Sequence, residues 1–131
     1  GVTAILIGAV ITMMVQSSSI TTSLLVPMCG SGILTLENAF PVMLGANIGT
    51  TITAFIASLA TDINGLEIAL VHVLFNLSGT ILIFPVARLR AIPIRAARGL
   101  AVAAVRNKLW VLAYVGIMFI VVPLVGMLLF K

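Results

Sequence analysis

The 131-residue chain is 62% hydrophobic and 8% charged, with seven basic residues against three acidic ones and a formal charge of +4. Soluble domains carry about 25% charged residues, so the composition excludes one and indicates a polytopic helical membrane protein. Long unbroken apolar runs exclude an outer-membrane barrel, whose strands alternate polar and apolar residues, and the single Cys29 excludes an internal disulfide or a cysteine-rich metal site.

The first apolar run, Val2 to Val15, makes about 21 Å of helix, short of the roughly 20 residues that cross the hydrocarbon core. No basic leader or small-residue cleavage site precedes it, and Gly1 enters the run directly, as in a segment of a longer protein. Gln16-Ser17-Ser18-Ser19 and Thr21-Thr22-Ser23 follow, polar everywhere but Ile20. A short run, Leu24 to Cys29, then ends at Gly30-Ser31-Gly32, with Cys29 read as a small buried thiol. Two half-length helices meeting at a polar tip predict a re-entrant hairpin over residues 1–32. The competing arrangement is one helix from Ala4 to Met28 with its hydroxyls bonded back to the preceding turn.

Residues 33–60 are apolar apart from Glu37-Asn38 and a second polar island, Gly45-Ala46-Asn47-Ile48-Gly49-Thr50-Thr51. A straight helix over that range would be about 42 Å long, and two nearby glycines cost roughly 2 kcal/mol of helix propensity. A transmembrane helix broken at mid-membrane is expected, its unwound carbonyls free to hold a cation. Otherwise the glycines serve close helix packing. Thr61-Asp62-Ile63-Asn64-Gly65 reads as a polar turn, and residues 66–87 as a transmembrane helix holding His72, Asn76 and Ser78. Residues 88–108 are basic and amphipathic. Pro93 suits a helix start, and Arg95, Arg98 and Arg106 share one face, as on an interfacial helix. Residues 109–130 form the clearest span, with Trp110 and Tyr114 at its interface end and Pro123 as a kink.

Water is absent at mid-membrane, so polar groups there need partners, and two polar islands at that depth point to a buried site for a small ion or anion. The basic stretch from Arg88 to Lys108 belongs on the cytoplasmic side of a cell membrane, either a plasma membrane or a bacterial inner membrane. On this orientation residues 62–67 are an outer loop, the hairpin enters from the cytoplasm, and Glu37 is a solvated carboxylate near the inner surface. Nucleic-acid binding would need a solvated basic face on a soluble fold.

Gln16-Ser17-Ser18-Ser19, Gly45-Ala46-Asn47-Ile48-Gly49-Thr50-Thr51 and Val71-His72-Val73-Leu74-Phe75-Asn76 together resemble the type II sodium–phosphate cotransporters. The region around Pro93-Ile94-Arg95 and the last helix also look like that family's carboxy-terminal half. The resemblance implies an all-α integral membrane fold with two inverted repeats, each carrying both motifs. One copy of each is present here, so the whole chain, residues 1–131, looks like the second repeat alone. Where the family's first repeat commonly has a sodium-binding aspartate after the histidine, this chain has Val73, which leaves His72 and Asn76 as structural partners.

On this resemblance the function is sodium-coupled symport of inorganic phosphate by alternating access, with the other repeat and the lipid bilayer as partners. No cofactor is implied beyond sodium as a co-transported ion. A half-helix starting near Ser18 would aim free N–H groups and about half a positive charge at the bilayer centre. Ser17, Ser18, Ser19 and Thr21 are therefore the expected phosphate donors. Gln16, Asn47, Thr50 and Thr51 offer hard oxygens for sodium. No Arg or Lys lies in either island, which suits a carrier that must release its anion. A sodium-coupled carrier of sulfate or a dicarboxylate, or an anion-conducting pore, could use the same groups. An enzyme would need an acid to orient His72, and none is placed to do so.

Overall fold

A computed structural model describes residues 1–129, so Phe130, the expected end of the last span, lies outside the described residues. Every element among them is helical: α1 (Val2–Val15), α2 (Ser18–Gly30), α3 (Leu36–Ser58), α4 (Ile63–Ile83), α5 (Ala87–Arg106) and α6 (Leu109–Leu129). Helices α3, α4 and α6 are long and apolar enough to cross a membrane, whereas α1 is apolar but short.

By their contacts the residues fall into a unit from Gly1 to Arg90 and a second unit beginning at Ala91. In the first, α1 packs chiefly on α3, which also receives α4 and α2. Small residues make the α1–α3 seam. A Cβ added to Gly8 would meet the Val42 carbonyl, and one added to Gly45 would meet the Ile5 carbonyl. A Cβ on Gly49 would lie 2.5 Å from the Ala9 oxygen. Backbones this close exclude any side chain at those three positions, which is how small-xxx-small motifs join membrane helices.

The second polar island therefore differs from expectation. Helix α3 runs unbroken from Leu36 to Ser58, and its glycines serve packing rather than unwinding. Shortening removes the length argument too, since 23 residues make about 35 Å of helix. Thr35 sets the start by accepting the Asn38 N–H at 3.3 Å, and Glu37 follows in the first turn, where the helix dipole favours a carboxylate.

Helix α4 likewise begins earlier than residue 66. Asp62 is its N-cap, accepting the Gly65 N–H at 3.1 Å, while Asn64 Nδ2 donates to the other carboxylate oxygen at 3.2 Å. Residues 63–65 are thus the first helical turn, not part of a loop. Asp62→Ala should lower stability by about 1 kcal/mol, with Asp62→Asn closer to wild type, as read from melting midpoints of the detergent-solubilised full-length protein. His72 is exposed on α4 and makes no hydrogen bond among the described residues, so the expected partnership with Asn76 does not form.

Pro85 follows the end of α4, and Arg90 folds back on it. The Arg90 guanidinium carbon lies 5.3 Å from the Phe84 ring centroid and Arg90 donates to the Phe84 carbonyl at 3.5 Å. Helix α5 starts at Ala87, placing Pro93 inside it rather than at its start. Arg88, Arg95, Arg98 and Arg106 are exposed and Ile94 is buried. Asn107 Oδ1 then accepts the Leu109 N–H at 2.9 Å at the head of α6. Pro123 lies just beyond a π-helical turn, Ile117–Val121. Proline has no N–H and its ring crowds the carbonyl four residues back, and widening the preceding turn relieves both.

Candidate functional site

The first polar island is a tight turn between two helices. Helix α1 ends at Val15, and Gln16 takes the left-handed conformation (φ 57°, ψ 26°) with its N–H donating to the Thr12 carbonyl at 2.7 Å. For a residue with a Cβ that conformation costs roughly 1–2 kcal/mol, and such strain persists where surrounding contacts hold it. Ser17 returns to extended backbone and caps α2, its Oγ accepting the Ile20 N–H at 3.3 Å. Its carbonyl accepts the Thr21 N–H, also at 3.3 Å.

That arrangement leaves the Ser18 and Ser19 amides donating to nothing among the described residues. They sit at the positive end of the α2 dipole. Ser18, Ser19, Thr22 and Ser23, with Val26, line an open groove of about 320 Å³ along one side of α2. Four hydroxyls and two unpaired amides, with no cationic side chain among the described lining residues, suit an anion held by neutral donors.

Beneath the turn, Thr12 and Thr21 are buried, at 0% and 3% exposure, and their hydroxyl oxygens lie 2.8 Å apart. Thr21 Oγ1 also donates to the Ser17 carbonyl at 3.3 Å. Of the expected phosphate donors, Ser17, Ser18 and Ser19 thus lie at the head of α2, while the Thr21 hydroxyl is engaged inside the protein.

The expected sodium ligands are more dispersed. Gln16 shares a depression of about 520 Å³ with Met13 and with Thr53, Ala54, Ile56 and Ala57 of α3. Thr53 lies outside the second polar island, and its one signal in the sequence is that it stands three residues, or nearly one turn, beyond Thr50. Asn47 is exposed on α3 without a hydrogen-bond partner among the described residues. The Thr50 hydroxyl donates to the Ala46 carbonyl at 3.1 Å, and the buried Thr51 hydroxyl to the Ile48 carbonyl at 2.8 Å. Those carbonyls are engaged within a regular helix, so the expected unwound cation ligands are not there. Asn47, Thr50 and Thr51 line neither the groove nor the depression.

The sequence profile of the Na+/Pi-cotransporter family matches residues 1–128. Sodium-dependent phosphate transport protein 2B of Homo sapiens is 45% identical over 128 residues, covering 95% of this chain and 18% of that protein. Protein 2C of Homo sapiens is 42% identical over 95% of this chain and 21% of its own length, and protein 2A of Ovis aries 40% over 94% and 20%. The chain thus spans about a fifth of the length of the curated relatives it matches. No solved structure matches it. With the profile covering nearly the whole chain and both polar islands, the chain belongs to the Na+/Pi-cotransporter family.

Proposed function

We propose that this segment supplies half of the substrate and ion site of a sodium-coupled symporter of inorganic phosphate in a cell membrane. The observation that carries this is the head of α2, where the unpaired Ser18 and Ser19 amides lie among neutral hydroxyls. The relatives are named sodium-dependent phosphate transport proteins, which favours phosphate over sulfate or a dicarboxylate.

In this mechanism α1 and α2 form a re-entrant hairpin whose Gln16–Ser17 tip reaches mid-bilayer. Phosphate oxygens take hydrogen bonds from the Ser18 and Ser19 amides and from the Ser17, Ser18 and Ser19 hydroxyls. Thr21 belongs to the same subsite and holds it from below. Gln16, Asn47, Thr50 and Thr51 contribute oxygens to sodium, and Thr53 joins Gln16. The Thr50 and Thr51 oxygens keep lone pairs for a cation even while their hydrogens are engaged.

Coupling is electrostatic. Neither island contains a carboxylate, so the bound anion is the ions' main charge partner. Each makes the other's entry less costly at low dielectric. The dispersal of Asn47 from the hairpin groove fits a site completed by the other, inverted repeat, with which this one moves to expose the ions alternately. The arginines of α5 would then lie in the cytoplasmic interface.

Full-length protein in proteoliposomes should take up radiolabelled phosphate saturably, only with an inward sodium gradient, and with little competition from sulfate or succinate. Potent competition would reassign the substrate. Phosphate current without sodium would replace the carrier with a pore.

A further inference from the structure

We infer that Thr12 is a positioning residue that sets the geometry of both polar islands at once, an inference that rests on the sodium–phosphate reading above. Nothing in the apolar run Val2 to Val15 marks Thr12 as special, yet it is the most completely enclosed polar side chain of α1, at 0% exposure. Three contacts converge on it. Its carbonyl accepts the N–H of Gln16, the residue strained into the left-handed conformation, at 2.7 Å. Its hydroxyl meets that of Thr21 at 2.8 Å. Its Cβ borders Gly49, where an added Cβ would lie 3.0 Å away.

The direction of the hydroxyl chain follows from counting hydrogens. Thr21 has one hydroxyl hydrogen and gives it to the Ser17 carbonyl. Thr12 must then be the donor of the 2.8 Å bond. The order is Thr12 to Thr21 to the carbonyl of Ser17, the residue whose backbone and side chain both cap α2. Thr12 therefore clamps the Gln16–Ser17 turn from its α1 side by the main chain and from its α2 side by the side chain. Direct packing between α1 and α2 is slight compared with that between α1 and α3, so this hydroxyl bond is a principal tie across the tip.

The third contact extends its reach. Gly49 closes the Gly45–Gly49 stretch around Asn47 and directly precedes Thr50 and Thr51. A residue touching the turn, the head of α2 and Gly49 sets the spacing between the anion donors and the cation ligands. Thr12 itself touches neither ligand. Losing the Thr12 hydroxyl would relax the α2 head relative to α3 and weaken binding, without removing any group that contacts phosphate.

The test uses the full-length protein with Thr12→Val, which preserves shape and removes the hydroxyl, Thr12→Ser, which retains it, and Thr21→Val. Thr12→Val should raise the apparent KM for phosphate about fivefold or more, the scale of one buried hydrogen bond. The maximal rate per transporter at the surface should stay within about twofold, with Thr12→Ser near wild type. Thr21→Val should shift KM the same way, and the double variant should fall short of the product of the two single effects, because both remove one bond. An unchanged KM in a normally expressed Thr12→Val overturns the inference. So does failure of both valine variants to reach the surface, because the bond would then serve folding alone. A wild-type protein without sodium-dependent phosphate uptake would instead overturn the transport reading, independently of any Thr12 variant.

Discussion

Ser18→Ala and Asn47→Ala in the full-length protein should each reduce sodium-dependent phosphate uptake below a tenth of wild type, while membrane insertion and surface abundance are unchanged. In the proposed site the two substitutions act on opposite partners of the transported salt. Ser18 lies half-buried at the first helical position of α2, where its hydroxyl adds a donor beside the unpaired amide. On the proposed reading its loss would leave an oxygen of a dehydrated phosphate without a partner, and an unmatched polar group in such a site costs about 1–3 kcal/mol, more when charged. Asn47 is exposed on α3 and bonded to nothing among the described residues, so removing its amide leaves the packing of this chain intact. A defect there would then support the proposed role of Asn47 as an ion ligand. Uptake kinetics at varied sodium and phosphate discriminate between the two, and wild-type uptake by either variant removes that residue from the site.

Gly45→Ala should destabilise the protein by about 1–3 kcal/mol, whereas Gly79→Ala should be neutral or stabilising. Alanine is favoured over glycine by about 1 kcal/mol in a helix interior, so propensity alone raises stability at both positions. The opposite sign at Gly45 isolates the packing term. A Cβ there meets the Ile5 carbonyl and the Ala9 nitrogen, backbone atoms that yield only if α1 separates from α3, whereas one at Gly79 meets nothing within 4 Å. Melting midpoints of the detergent-solubilised protein, together with surface abundance, provide the comparison. Equal midpoints for Gly45→Ala and wild type would mean the α1–α3 seam is looser than the structure has it.

The boundary at Gln16–Ser17 was legible because its chemistry is local. A largely apolar run of fourteen residues ends in a polar tetrapeptide, and a serine before a helix start caps the α2 amides. The spans α4 and α6 were legible from apolar length, although Asp62 and Pro93 show how proximity in sequence misplaces an end by one turn or two. The second island departs from the expected break for a definite reason. Glycines flanking an asparagine lower intrinsic helix propensity, but at a helix–helix seam the same glycines permit backbone contact that outweighs it. Thr12 could not be singled out at all, because one threonine in an apolar run has no local signature. Its significance arises from Gly49, 37 positions further along the chain, and from Thr21 across a turn.

Composition and the motifs by themselves determined a helical membrane protein and its family, because hydropathy and motif chemistry are properties of short stretches. Only tertiary structure decided that α3 is continuous, that Gln16 and Thr53 line one depression, and that Thr21 bonds inward to Thr12. Those outcomes depend on how closely two backbones approach, and the approach is set jointly by Gly8 on one helix and Gly45 and Gly49 on another.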